Sequence, residues 1–331
     1  MNLKKSICFT TAFILLVLVM ALAISKGAVK LSIGEILNVL RNSGNDTNKT
    51  IILDLRLPRV IASAIVGMGL SVVGAFFQGL LRNPIADPYV IGISSGAALG
   101  ATIAIILGFG LFGINLAAFV ASLITVFIVY AISKAGTKIS MTTMILAGTA
   151  VSAFISAIIS LIMLLNHEEF NRIIFWTMGG FNLISWKSLA FAIPIIVIGA
   201  LVMYSFSRDI NAILTGEEVA EHLGVNTERV KKIIFIAGSL VTAASVSVGG
   251  IIGFVGLIVP HICRIIIGAD NRILVPFSAI VGAAFLTFAD TIARTILIPT
   301  EIPIGIITAS FGGPFFIYLL IKDKRKSEGM W

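Results

Sequence analysis

Ionisable side chains are scarce in this chain, so the few that fall inside or beside its apolar runs carry most of its chemistry. Asp290 and Arg294 stand four apart within one such run, a spacing that lets a carboxylate and a guanidinium pair along a helix. Arg56 and Arg59 precede another run. A guanidinium fork bonds carboxylates bidentately, so Arg56, Arg59 and Arg294 together invite an acidic partner on one rim of the bilayer. The plainer reading is that Arg56 and Arg59 snorkel to anchor a helix end. Thr149, Ser152, Ser156 and Ser160 recur at steps of three and four and share one helical face. Such a hydroxyl stripe lines a wet path, or it bonds to a neighbouring helix and to its own i−4 carbonyls; both readings stand.

Other chemistries lack their residues. His167, His222 and His261 fall in separate segments with no i, i+4 pair and no third ligand, so no metal site is expected. No G-x-x-x-x-G-K-S/T phosphate loop occurs, and any ATP-driven step must belong to a partner. Gly108 to Gly113 matches G-x-G-x-x-G, but it sits at a turn between apolar runs without a preceding strand or a ribose-binding acid. No cofactor is expected. An enzyme would need clustered His, Asp, Glu or Cys, and an ion-coupled carrier more buried acids than Asp290 alone; the carrier stays open as the rival reading.

The elements that must position these groups follow from composition. Of 331 residues 58% are hydrophobic and 12% charged, with mean hydropathy +1.06, against about 25% charged in an ordinary soluble domain. The chain reads as all-α, a polytopic membrane helical bundle forming one transmembrane domain over 1–331. About ten spans are expected: Ile7 to Ile24, Val60 to Leu80, Val90 to Leu107, Ile114 to Ser133, Met141 to Leu165, Ser188 to Phe206, Ile233 to Gly249, Gly253 to Ile267, Ile273 to Leu297 and Gly305 to Ile321. The eighth carries Pro260, His261 and Arg264 and is short, which leaves a partial crossing open. The first is longer than the apolar region of a secretory signal and reads as a retained helix. Small residues recur in the second and third spans (Gly67, Gly69, Gly74, Ala75; Gly92, Gly96, Ala97, Gly100), as close helix packing requires.

Orientation follows the basic residues, which stay on the cytoplasmic side. With both termini inside, most of the 24 Lys and Arg fall inside: Lys4, Lys5, Arg82, Lys134, Lys138, the Arg208 to Lys232 segment, Arg264, Arg272 and the Lys322 to Lys326 tail. The net charge of +8 is then a topology signal, and no nucleic acid is expected. Cys8 and Cys263 read as two free thiols.

The largest polar insertion on that side is 208–232. Thr215, Gly216, Glu217, Glu218, Ala220, Leu223, Gly224 and Val225 form its centre. Val219, Ala220, Leu223 and Val225 suit one apolar face of a short amphipathic helix, ended by Gly224, that inserts into a groove on a soluble protein. A plain solvated loop is the alternative.

Five motifs occur in order: Leu55-Arg-Leu-Pro-Arg59, the stretch from Gly74 to Ala98, Phe175-Trp-Thr-Met-Gly-Gly180, Gly253-Phe-Val-Gly-Leu-Ile-Val-Pro-His-Ile-Cys-Arg264 and Ile302-Pro-Ile-Gly-Ile-Ile-Thr308. Over residues 50 to 322 the chain resembles the FecCD-type permeases of ATP-binding-cassette type II importers. The resemblance implies a homodimer of a ten-helix permease, a separate cytoplasmic ATPase dimer and an extracytoplasmic substrate-binding protein. It implies a cargo among ferric siderophores, haem and cobalamin. It also implies that 215–226 is the ATPase-coupling segment, that Arg56, Arg59 and Arg294 pair with glutamates of the binding protein, and that the fifth span with Asn171 to Gly179 forms the central pathway and its outer gate. Gly179-Gly180 departs from the Gly-Ser of many relatives. Ala86-Asp87 and Ala269-Asp270 each precede a span, a weak hint of an internal repeat.

Overall fold

In hydrocarbon a backbone must bond to itself, and the apolar runs accordingly wind into helices. The computed structural model describes residues 3–27, 29, 31–41, 45–81, 83, 87–135, 138, 139, 141–182 and 184–328. In chain order the helices are α1 (Leu3–Ser25), α2 (Ile33–Leu40), α3 (Asp46–Lys49), α4 (Leu57–Leu80), α5 (Ile93–Ile106), α6 (Leu111–Ser133), α7 (Met141–Leu165), α8 (Phe170–Thr177), α9 (Trp186–Ser205), α10 (Ser207–Thr215), α11 (Glu217–His222), α12 (Thr227–Gly249), α13 (Val255–Ile267), α14 (Asn271–Ala293) and α15 (Ile304–Glu328). Lys134–Ala135 and Lys138–Ile139 pair as a minimal antiparallel ribbon, β1 and β2, between α6 and α7. Arg82 and Ala86 lie outside the described residues.

Among the described residues seven helices are long and apolar enough to cross a membrane, and α5, α13 and the apolar part of α15 are three shorter ones. Each expected span therefore has its helix, and α5 and α13 are the two shortest of them. The 14 residues of α5 and 13 of α13 rise only about 20 Å, against about 30 Å of hydrocarbon. α13 is the short helix noted in the sequence, and α5 covers Ile93–Ile106 of the expected Val90 to Leu107. The cause is irregular backbone ahead of each. Pro88–Ile91 winds as a 3-10 turn before α5, and Phe254, with φ 68°, opens α13.

The second expected span is longer than its apolar run. Thr50–Arg56 forms a π turn that joins α3 to α4 without a break, and the continuous helix covers Asp46–Leu80. Ahead of it, Ser32 and Glu35 cap α2 reciprocally: the Ser32 amide donates to Glu35 Oε2 at 2.7 Å and the Glu35 amide to Ser32 Oγ at 3.2 Å.

The buried centre is α4, wrapped by α14, α13, α12 and α9. Two of the small residues noted in the sequence explain its packing. A Cβ on Gly74 would lie 1.7 Å from the Gly256 carbonyl oxygen, and one on Gly67 would lie 2.3 Å from that of Gly282. Helix backbones touch there, which lipid-exposed surfaces cannot drive hydrophobically but dispersion can.

Candidate functional site

The polar insertion folds as two helices. Gly216, at φ 145° and ψ 138° in a positive-φ region that favours glycine, separates α10 from α11. Each helix is fastened to a different part of the bundle. From α10, Ile210 and Ile213 are buried, and Asn211 Nδ2 donates to Asp270 Oδ1 at 2.7 Å while its Oδ1 accepts from the amide and Nδ2 of Asn271 at 3.0 and 2.8 Å. Asp270 also caps α14 and pairs with Arg272 at 2.8 Å. Hydrogen bonding from Arg272 holds its carboxyl well below the usual carboxylate range.

On α11, Ala220 is fully buried, Thr227 Oγ1 donates to Glu221 Oε1 at 2.9 Å, and Lys231 Nζ reaches Glu217 Oε2 at 2.6 Å and Glu228 Oε1 at 3.2 Å. Gly224, at φ 84°, ends the helix as expected. The single apolar face read from the sequence is corrected, because Ala220 packs inward whereas Val219 and Leu223 point outward, Leu223 with 70% of its surface exposed. Thr215 and Glu218 are exposed beside them, and Gly216 and Val225 are half-buried. The insertion thus presents an apolar knob ringed by acids on a base tied into the bundle.

That base is the first turn of α12, whose 23 residues rise about 35 Å without a proline. Its far end meets α8 and α15 in a knot of backbone hydrogen bonds. The Gly180 amide donates to the Gly249 carbonyl at 2.8 Å, Ile304 to Gly179 at 3.0 Å and Gly305 to Met178 at 3.0 Å. Gly250 adopts φ 68°, and a Cβ there would lie 2.4 Å from the Trp176 carbonyl oxygen. α11 and α8 are thus bonded to opposite ends of one helix.

At the same end the structure brings Arg56, Arg59 and Arg294 together, but not as free cations. Their exposures are 6%, 9% and 6%. Arg59 Nε donates to both oxygens of the fully buried Asp290 at 3.0 and 3.1 Å, and its Nη1 to both oxygens of Glu301 at 2.9 and 3.0 Å. The Arg294 Nε lies 3.6 Å from Asp290 Oδ2, so the i, i+4 pair expected from the sequence is present, and its Nη2 donates to the Ala23 carbonyl. Arg56 is held by the carbonyls of Ile24 at 2.7 Å, Ser25 at 3.1 Å and Val29. The open rim read from the sequence is thus a buried network, because each guanidinium at this depth must replace its hydration with fixed acceptors. Beside it opens a cavity of about 420 Å³ lined by Arg59, Glu301, Asn115, Arg172, Trp176 and the Gly179-Gly180 pair among others.

The hydroxyls of α7 divide between the two readings. Thr149 and Ser160 donate to their own i−4 carbonyls, of Ile145 and Ser156, both at 2.9 Å, and Ser152 accepts from Ser95 of α5 at 3.0 Å. Ser156 is exposed, as are Thr149 and Ser160. So are Leu146, Phe154, Leu161, Leu164 and Leu165, and α7 lies on the outside of the single chain.

Comparison with known proteins accords with this geometry. A family model described as the FecCD transport family matches residues 15–322. The cobalamin import system permease protein of Halobacterium salinarum is 44% identical over 83% of this chain and 74% of its own length. The hemin transport system permease protein of Yersinia pestis is 36% identical over 95% and 96%. A solved ABC transporter in an inward-facing conformation, described as of metal-chelate type, superimposes with a TM-score of 0.85 at 33% identity, over 95% of this chain and 98% of that one. A multi-pass helical bundle without a nucleotide loop of its own, matched over nearly its full length by this model and these relatives, belongs to the FecCD transport family and is the permease of an ABC importer.

Proposed function

We propose that two copies of this chain form the pore of an ATP-driven uptake system for a ferric siderophore or similar iron chelate in the plasma or inner membrane, with both termini cytoplasmic. A cytoplasmic ABC ATPase dimer hydrolyses ATP and seats on α10 and α11. An extracytoplasmic substrate-binding protein delivers the cargo at the opposite end of α12, around Arg56, Arg59 and Arg294. The second copy covers α7, whose apolar and hydroxyl side chains are exposed on one chain; Thr149, Ser152, Ser156 and Ser160 then border the path between the copies.

The observation that carries this reading is mechanical. The exposed knob of α11 is ion-paired to the start of α12, and the end of α12 is knotted to α8, so closure of an ATPase dimer beneath α11 is transmitted as a rigid-body shift to the other side of the bilayer. Cobalamin is the second reading of the cargo, favoured by the 44% identity to a cobalamin permease, and haem the third. Proteoliposomes holding the complete transporter, supplied with labelled ferric siderophore, cobalamin or haem, decide among them. Uptake of cargo by the chain alone without nucleotide supports the ion-coupled carrier instead and ends this reading.

A further inference from the structure

The arginine cluster holds more positive charge than its own acids neutralise. Among the described residues, Arg56, Arg59 and Arg294 have Asp290 and Glu301 as their carboxylate neighbours, an excess of one charge, and the acceptors of Arg56 are the carbonyls of Ile24, Ser25 and Val29. The two carboxylates are placed differently. Asp290 is fully buried between Arg59 and Arg294, whereas the Glu301 side chain is 40% exposed and reaches Arg59 from the loop ahead of α15. Both Arg59 and Glu301 line the cavity, with Arg172 half-exposed beside them.

We propose that Glu301 is an internal stand-in for a glutamate or aspartate of an extracytoplasmic protein partner, and that docking displaces it from Arg59. Arg59 gives its Nε and Nη2 edge to Asp290 and only Nη1 to the two Glu301 oxygens, an end-on contact that another carboxylate can make in its place. Asp290 keeps Arg59 oriented when Glu301 leaves, and the adjoining cavity has room for the incoming side chain. The released Glu301 returns to water, where a half-exposed carboxylate loses little. The ion pair thus acts as a lock that only an acid presented by the partner opens, which weakens docking but excludes partners lacking that acid. This proposal rests on the docking reading above and adds the competitor.

The test uses the full chain in lipid nanodiscs and, as probe, a short Gly/Ser peptide carrying one glutamate, with its glutamine counterpart as control. Glu301→Gln is expected to bind the glutamate peptide about tenfold tighter than wild type, and the glutamine peptide in neither case. Asp46→Asn, which removes an exposed acid paired to Lys49 outside the cavity lining, is expected to change binding less than twofold. Adding Arg59→Gln to Glu301→Gln is expected to abolish the gain; Arg59→Lys serves if that variant does not fold. Unchanged or weaker binding by Glu301→Gln makes Glu301 a structural ion pair and overturns the proposal. A gain for citrate but not for the peptide assigns the cavity to cargo and overturns it too. Failure of the docking reading has a different signature: Glu301→Gln gains the peptide, yet the purified binding protein of the system docks with an affinity indifferent to both Glu301→Gln and Arg59→Gln.

Discussion

Lys231 Nζ stands 2.6 Å from Glu217 Oε2, a contact across 14 residues that fastens α11 to the first turn of α12. Lys231 is buried, whereas Glu217 and Glu228 remain partly in water, so removing the lysine strands no buried acid. Lys231→Met is expected to cost about 1 kcal/mol of stability. It is also expected to lower cargo uptake severalfold while ATP hydrolysis by the assembled transporter continues. Parallel ATPase and uptake assays on one reconstitution check this, and an unchanged ratio of the two removes Lys231 from transmission.

The knot at the other end of α12 tolerates no side chain. Gly250→Ala places a Cβ 2.4 Å from the Trp176 carbonyl oxygen at a positive φ, and a loss of about 3 kcal/mol is expected, read as a drop in thermal midpoint of the purified chain. Gly108→Ala is the control: its φ is +70° but nothing lies within 4 Å, so only the backbone cost of about 1 kcal/mol applies.

On α7 the hydroxyls separate by partner. Ser152→Ala loses the bond from Ser95 and is expected to cost about 0.6 kcal/mol, whereas Thr149→Val exchanges a bond to its own helix for nothing structural. If the stripe borders the path, Ser156→Cys in a background lacking Cys8 and Cys263 reacts with a hydrophilic thiol reagent, and cargo slows the reaction. Labelling confined to lipid-soluble reagents places that face in lipid.

The link from α10 to α14 depends on pH. Asp270 titrates below the ordinary carboxylate range because Arg272 hydrogen-bonds its charged form. A depressed folded value means the stabilisation is whole above about pH 4 and is lost as pH falls below it. The thermal midpoint of wild type is therefore expected to exceed that of Asp270→Asn at pH 6, and the gap to begin narrowing once pH falls below about 4, closing only below the depressed folded value; a gap that stays constant from pH 6 to pH 3 would show that the charge plays no part.

What local pattern announces, the chain announced. A bilayer demands long apolar runs wherever a helix crosses it, so α1, α4, α6, α7, α9, α12 and α14 were legible, as was the helix end at Gly224. The reciprocal cap of Ser32 and Glu35 was equally local and marks α2, an element the spans alone did not suggest. Gly216 signals the break between α10 and α11 only in hindsight, since glycine also sits within helices such as α4.

What depends on depth and on distant partners was settled by the tertiary structure. Arg59 and Glu301 are 242 residues apart, and no spacing along the chain relates them. Whether Arg56, Arg59 and Arg294 line an open rim or a buried network is decided by which acceptors the folded bundle brings to each guanidinium. The same holds for the outward turn of Leu223 and for the knot joining α8, α12 and α15. Residue type sets what a group can bond, and burial and neighbours, which only packing supplies, set what it does bond.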